Sequence, residues 1–333
     1  MRRVLVAGGA GFIGSNFARY LVEQGIPEVW VLDKLTYAGN RQNIADLERA
    51  GTVHFVHGDI CDAVVNFAAE THVDRSLLEP ASFIQTNVYG TFVLLEAARK
   101  YRVPRFVQVS TDEVYGDVST GFSSEDDRLH PRSPYSASKA GAEMMVIAYH
   151  ETYGLPVMTT RGSNTYGPYQ YPEKFLPLMI TNAMEGQPLP IYGDGRQVRD
   201  WIHVRDHCAG IFAVLQRGAP GAVYNIGGGN ERQNIDVART VLRILDQPGG
   251  LIRHVEDRLG HDRRYALSTD RLRALGWEPT IAFEEGIRDT VDWYRSRRDW
   301  WEPLKAGQFS EYYARNYGSR ELLDASDGSV AGA

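Results

Sequence analysis

Tyr135 and Lys139 are four positions apart, so a helix through them carries both side chains on one face. Ser133-Pro134 stands directly before them, the pattern of an N-cap followed by proline at the first helical position. A tyrosine placed there feels the positive end of a helix dipole and, one turn on, an ammonium. Both favour the phenolate of a group whose pKa in water is about 10. Such a tyrosine is suited to take a proton from a hydroxyl near neutral pH. Taken alone, the same spacing also describes a solvated helix face. A second group is Ser110-Thr111-Asp112-Glu113, a hydroxyl donor beside two adjacent carboxyls. With one carboxyl protonated and the other ionised, they form an acid/base pair. The same residue types also make a good helix cap, and spacing leaves both readings open.

The third group is Gly8-Gly9-Ala10-Gly11-Phe12-Ile13-Gly14, set between an apolar run and a helical pattern. Glycines there allow a tight turn and let a diphosphate approach bare backbone, with the free N–H groups of a helix N-terminus facing the anion. Asp33 ends the next strand, 19 residues after Gly14. An acid at that place accepts from both ribose hydroxyls and repels a 2′-phosphate, which favours NAD over NADP. Asp59-Ile60, at the end of the third strand, is placed to edge the adenine, and a plain turn is the other reading.

These residues need a scaffold. Val4-Leu5-Val6, Val29 to Leu32, His54 to Val56, Val64 to Phe67, Phe106 to Val109 and Val157 to Thr160 read as strands. Ile13 to Gln24, Thr91 to Arg99 and Ala137 to Tyr149 read as helices between them. Continuous apolar strands alternating with helices predict an α/β fold, a Rossmann-type doubly wound parallel sheet covered on both faces. The second half is less regular and predicts a smaller, mixed α/β C-terminal substrate lobe. The expected division is residues 1–163 for the dinucleotide-binding domain and 164–333 for the lobe, with 200–228 returning to the first sheet through Ala222 to Ile226. A further helix is expected near Ile235 to Leu245, and Asp324 to Ala333 reads as a frayed tail.

Composition narrows the class. The 333 residues are 43% hydrophobic and 23% charged, which excludes wholesale disorder. No apolar run reaches the length of a membrane span, and the start is too glycine-interrupted for a secretory signal. A formal charge of -6 without a basic stripe argues against a nucleic-acid partner. Two cysteines, Cys61 and Cys208, are too few for a disulfide framework or a cysteine-rich metal site. Cys61 reads as a small packing residue, no metal is expected, and the cytoplasm is the default compartment.

One feature conflicts with the scheme. Only Cys61-Asp62 separates the stretch ending at Asp59-Ile60 from the strand beginning at Ala63. Parallel strands need a crossover of about a dozen residues or more. Either these two strands form an antiparallel hairpin or a crossover helix is missing. The second is favoured, with a chain break expected between Asp62 and Ala63.

The motifs taken together are specific. The glycine loop is followed in order by Leu32-Asp33-Lys34-Leu35-Thr36-Tyr37-Ala38-Gly39-Asn40, Ala68-Ala69-Glu70-Thr71-His72-Val73-Asp74-Arg75-Ser76, Thr111-Asp112-Glu113-Val114-Tyr115-Gly116 and Tyr135-x-x-x-Lys139. Asn164-Thr165-Tyr166-Gly167-Pro168-Tyr169, Pro172-Glu173-Lys174, Tyr192-Gly193-Asp194-Gly195, Val198-Arg199-Asp200-Trp201 and Gly260-His261-Asp262-Arg263-Arg264-Tyr265 continue the series. The chain resembles the extended short-chain dehydrogenase/reductase superfamily and, within it, the dTDP-glucose 4,6-dehydratases, from about residue 3 to about residue 305. The Thr-Asp-Glu triplet discriminates, because related epimerases and decarboxylases differ there.

The resemblance implies a tightly held NAD and a nucleotide sugar, dTDP-glucose, as substrate. It implies oxidation at C4, loss of water across C5 and C6, and return of hydride to C6. Catalysis falls to Thr111, Asp112, Glu113, Tyr135 and Lys139. Cofactor contacts map to Gly8, Gly11, Phe12, Ile13, Gly14, Asp33, Lys34, Thr36, Asp59, Ile60, Ala68, Ala69, Ser110, Tyr135 and Lys139. Substrate contacts map to Glu70, Asn87, Asn164, Lys174, Tyr192, Arg199, Asn234, Arg258, His261 and Tyr265. Thr165 stands where many family members have a second asparagine, so a shifted sugar or nucleotide preference is expected. Relatives suggest a homodimer built from helices of the first domain. The competing readings are a UDP- or GDP-sugar 4,6-dehydratase, a 4-epimerase, which needs no acid pair, and a non-catalytic NAD-sensing regulator.

Overall fold

β-branched residues at every second position shape the first part of the chain. In the computed structural model, residues 2–35, 39–55, 62–318, 320, 322 and 323 are described. Arg3–Ala7 forms β1, Phe12–Glu23 α1, Glu28–Leu32 β2, Ala45–Arg49 the short α2 and Val53–Phe55 β3. Ala63–Asn66 is β4; Val73–Leu78 is α3 and Pro80–Phe83 is α4, which runs through a π-helical stretch, Ile84–Tyr89, into α5, Gly90–Lys100. Phe106–Thr111 is β5, Pro134–Tyr153 α6 and Val157–Gly162 β6. Asn164–Tyr166 is β7, Phe175–Met184 α7, Leu189–Tyr192 β8, Val198–His203 β9, Val204–Arg217 α8 and Val223–Ile226 β10. Glu231–Gln233 is β11, Asn234–Ile244 α9, Ile252–Val255 β12, Asp270–Arg273 α10, Phe283–Ser296 α11, Arg298–Trp301 α12 and Gln308–Tyr317 α13.

Seven strands form one sheet in the order β10-β6-β5-β4-β1-β2-β3. Every pairing in it is parallel. This is the doubly wound sheet that the alternating runs predict. The order reverses beside β1, where Val4 faces Val29 on one side and Ala63 on the other. Connections therefore diverge above β1 and β4 and leave a crevice at their carboxyl ends. Val4, Val6, Val29 and Val31 are fully buried with Phe17 and Leu21 of α1 and Ile211, Val214 and Leu215 of α8. Each such side chain contributes about 1.5–3 kcal/mol through burial.

After β6 the chain leaves this sheet at Ser163. β7 and β9 pair in parallel and β11 adds antiparallel to β9, while β8 pairs with β12. These two small sheets and α7, α9 and α11 enclose a separate core of Leu176, Met179, Val237, Val241, Ile287, Val291 and Trp301. α8 and β10 go back to the large sheet, β10 lying beside β6. Among the described residues, no helix is long and apolar enough to cross a membrane.

The β3-to-β4 passage decides between the two readings of this stretch. Among the described residues β3 pairs only with β2, and β4 is separated from it by two strands, β1 and β2, both β3 and β4 being parallel to the rest. An antiparallel hairpin is therefore excluded. Asp62 stands at the foot of β4, its Oδ2 accepting from the backbone N–H groups of Arg2 and Arg3 at 2.8 and 3.1 Å. The next residue, Ala63, pairs with Val4, the next residue after Arg3. Asp62 and Ala63 thus sit against consecutive residues at the start of β1. The crossover helix is absent because the sequence holds no residues to build it. Val56, Cys61 and the expected tail, Asp324 to Ala333, lie outside the described residues.

Candidate active site

β5 is buried along its whole length and delivers Ser110 and Thr111 to the carboxyl edge of the large sheet. Thr111 then caps a one-turn 3₁₀-helix, Asp112–Tyr115, its Oγ1 accepting from the Glu113 N–H at 3.3 Å. The cap reading of this tetrapeptide is borne out. The Thr111 hydroxyl also lies 3.3 Å from Asp112 Oδ1 and stands beside the Tyr135 phenol. Asp112 Oδ2 is buried without a hydrogen-bond partner. Burial, with Glu113 alongside, pushes the Asp112 carboxyl well above its ordinary range. Glu113 is raised too, by burial, against the pull of Arg258 and Arg199. Glu113 thus reinforces the rise of Asp112, while Arg258 and Arg199 support the charge of Glu113.

α6 begins as the sequence predicts. Ser133 Oγ accepts from the Ser136 N–H, Ser136 Oγ accepts from the Ser133 N–H, both at 3.1 Å, and Pro134 starts the helix. Tyr135 and Lys139 follow on its buried face. The expected depression of the tyrosine pKa is not found. Burial pushes the phenol up, and the charges of Glu113 and Asp112 push it further. Lys139 Nζ donates to the Val109 carbonyl at 2.7 Å, and burial lowers it to about 8. One environment thus contains the phenol, the hydroxyl and both carboxyls, as a single sugar ring would require.

The glycine loop lies close by. A Cβ on Gly8, which has φ +76°, would sit 2.5 Å from Ala68 N, and one on Gly14 would sit 2.3 Å from the Gly8 carbonyl oxygen. Gly11 closes the turn, its N–H donating to Gly8 O at 3.1 Å, and Phe12 and Ile13 open α1. Asp33 Oδ2 accepts from Ala10 N–H and Oδ1 from Leu35 N–H, at 2.9 and 2.7 Å. It braces the loop. Lys34 is exposed and Ala68 and Ala69 are half-buried beside the loop. Thr36, Asp59 and Ile60 lie outside the described residues.

Between the large sheet and the lobe is a solvent-open cleft of about 860 Å³. Glu113, Asn164, Lys174, Tyr192, Arg199, Asn234, Arg258 and His261 all line it. Asn164 Oδ1 and Asn234 Oδ1 are buried without a hydrogen-bond partner among the described residues. Arg199 is held by the carbonyls of Val198 and Asp262 at 2.8 and 2.9 Å and stacks over Tyr265 at 4.2 Å. Tyr265 acts through that arginine and does not line the cleft. His261 Nδ1 meets Asp257 Oδ1 at 2.6 Å, and burial lowers the ring to about 4. Glu70 and Asn87 are also absent from the wall. The Asn87 amide is used structurally, accepting from Glu70 N–H at 2.8 Å and donating to Glu70 O and Ser138 Oγ. Thr165 does not reach the cleft either; its hydroxyl bonds His207 Nδ1 at 2.7 Å and Ser163 O at 3.1 Å. The shifted preference expected from it has no structural basis.

A family model described as GDP-mannose 4,6 dehydratase matches residues 5–290. The dTDP-glucose 4,6-dehydratase of Streptomyces niveus is 49% identical over 322 residues, spanning 91% of this chain and 96% of that protein. The chain belongs to the dTDP-glucose 4,6-dehydratase family. A second relative, dTDP-glucose 4,6-dehydratase 1 of Escherichia coli K12, is 45% identical over 360 residues, covering 96% of this chain and 100% of that protein. Since 96% of 333 is about 320, that relative has roughly 40 residues without a counterpart here. The solved dTDP-glucose 4,6-dehydratase DesIV of Streptomyces venezuelae, with NAD bound, superimposes with TM-score 0.89 at 49% identity, covering 91% of this chain and 100% of that one. A UDP-glucose 4-epimerase of Thermus thermophilus, in complex with NAD, gives 0.82 at 32% identity, covering 89% and 99%.

Sequence reasoning missed several residues of the dehydratase-family cleft. His72, Asp74, Phe175, Met179, Pro190, Trp201 and Tyr317 line it as well. His72, Asp74 and Trp201 stand inside the recognised motifs. Tyr317 sits in α13, beyond the reach of the resemblance, and no local pattern marked it.

Proposed function

We propose that this protein is a dTDP-glucose 4,6-dehydratase, converting dTDP-D-glucose to dTDP-4-keto-6-deoxy-D-glucose and water. One observation carries the reading: Thr111, Asp112, Glu113 and Tyr135 share one buried point at the end of β5, and Glu113 opens from it into the cleft. A 4-epimerase has no use for that acid pair, and a regulator has no use for any of it.

The glycine loop fits NAD, since backbone fills the space any side chain there would occupy. Bound NAD supplies the hydride acceptor for C4 and later the hydride donor for C6. Tyr135 takes the C4 hydroxyl proton, and Thr111 fixes the phenol. The C4 ketone acidifies C5–H, and Glu113 removes that proton. Asp112, held protonated, gives its proton to the departing C6 hydroxyl, which leaves as water. A proton returned to C5 completes the 4-keto-6-deoxy sugar. Asn164, Arg199, Asn234, Arg258 and His261 are placed to hold the diphosphate, and Tyr192 to face the base. Lys174 Nζ, donating to Thr71 O at 2.6 Å, closes the sugar end.

Incubation with dTDP-glucose should yield a product that develops a 4-keto absorbance in base. Glu113→Gln should abolish that signal while hydrogen exchange at C4 continues; unchanged turnover in this variant would overturn the assignment. The protein is placed in the cytoplasm, in keeping with a free, buried Cys208. It is also read as a homodimer. In support, Ile84, Tyr89 and Val93 on the α5 side and Met144 and Ile147 on α6 are 39–55% exposed, apolar side chains on neighbouring helices.

A further inference from the structure

Asp74, on the first turn of α3, is 4% exposed and takes no part in the chemistry described above. Four groups converge on its carboxylate. Tyr192 Oη donates to Oδ2 at 3.0 Å, and Tyr312 Oη donates to the same atom at 3.4 Å. His72 Nδ1 lies 3.9 Å from Oδ2, and Arg258 Nη1 lies 3.6 Å from Oδ1. We infer that Asp74 is a positioning residue, fixing the base-facing Tyr192 and the phosphate-facing Arg258 relative to one another before the nucleotide sugar enters. The inference rests on reading the cleft as a nucleotide-sugar site.

Arg258 needs such a neighbour. A buried guanidinium without a counter-charge is costly. A guanidinium locked in a bidentate pair, however, has spent the N–H groups that would grip a phosphate. The 3.6 Å separation is too long for a hydrogen bond. It balances the charge and leaves the donors open, and Arg258 Nε likewise has no acceptor among the described residues. Arg199, by contrast, is steered by two carbonyls and an aromatic ring. Tyr192 is braced a second time, by Asn316 Nδ2 donating to its hydroxyl at 2.9 Å. The phenol oxygen is thus held by protein groups on both counts. Burial is outweighed by the surrounding donors and cations, which hold Asp74 ionised below the usual carboxylate range.

The test uses dTDP as the probe, with dTDP-glucose turnover in parallel. Binding of dTDP by the parent protein establishes the cleft's ligand by itself, separately from any role of Asp74. Asp74→Asn keeps the shape and an acceptor but removes the charge. It should raise the Kd for dTDP and the KM for dTDP-glucose by about tenfold or more. kcat should change by less than about threefold, with retained NAD unaltered. Because a lone Arg258 cation could compromise folding, the double variant Asp74→Asn/Arg258→Gln removes both charges together. It should bind dTDP no more weakly than Arg258→Gln alone. Parent-like dTDP affinity in Asp74→Asn would overturn the inference, and so would a double variant tenfold weaker than Arg258→Gln.

Discussion

At the scale of single residues, Asp112 shows a site working against stability. The fold favours its protonated form, so its contribution is complete below the ordinary value of 3.8 and is lost as pH rises through the higher folded value. Near neutral pH the buried acid therefore destabilises the fold. Asp112→Asn should abolish dehydration and raise Tm at pH 7 to 8, with the gain shrinking toward pH 4. Calorimetry across that range checks it; a gain independent of pH would rule out this cause. Gly14 gives a second prediction. A Cβ there meets a backbone oxygen that cannot swing aside, so Gly14→Ala should release NAD. The measurement is the cofactor content of the purified protein. Both positions were legible in the sequence, because glycine spacing and adjacent carboxyls leave few chemical alternatives. The ionisation of Tyr135 was not legible. Dipole and ammonium are visible along the chain, whereas the burial and the facing carboxylates that outweigh them come from a distant strand.

At the scale of elements, α6 is the part that sets Tyr135 in place. Its capping box satisfies two N–H groups that the first turn would otherwise leave open. Ser133→Ala should cost about 1 kcal/mol and lower kcat more than KM, because Tyr135 sits on that first turn. Denaturant titration and steady-state kinetics measure the two effects. The βα units of the first half were legible because each strand is a continuous apolar run and each helix has one apolar stripe. Boundaries moved by a residue or a few: β5 and β6 run on through Thr111 and Gly162. The lobe was hardly legible in detail. β7 and β11 have three residues each, too few to show a period. The missing crossover helix between β3 and β4 was legible, because the seven residues 56–62 are too few to build one.

At the scale of the whole molecule, the exposed apolar side chains of α5 and α6 make the homodimer testable. Val93→Glu with Met144→Glu should halve the mass seen by light scattering while leaving far-UV circular dichroism unchanged. A parent protein already at monomer mass would remove the dimer from consideration. The last helix, α13, belongs to this scale too. Tyr317 reaches the cleft wall, stacked 5.9 Å from Tyr192, and Arg320 lies 4.7 Å over the same ring. The cofactor turn at residues 8–14 and the cleft residue Tyr317 of α13 are thus about 300 residues apart in the chain. A nascent polypeptide still lacking residues 308–320 has its cofactor turn but an unfinished nucleotide wall. Clipping by a protease ahead of α13 would leave a dinucleotide holder that no longer grips its sugar.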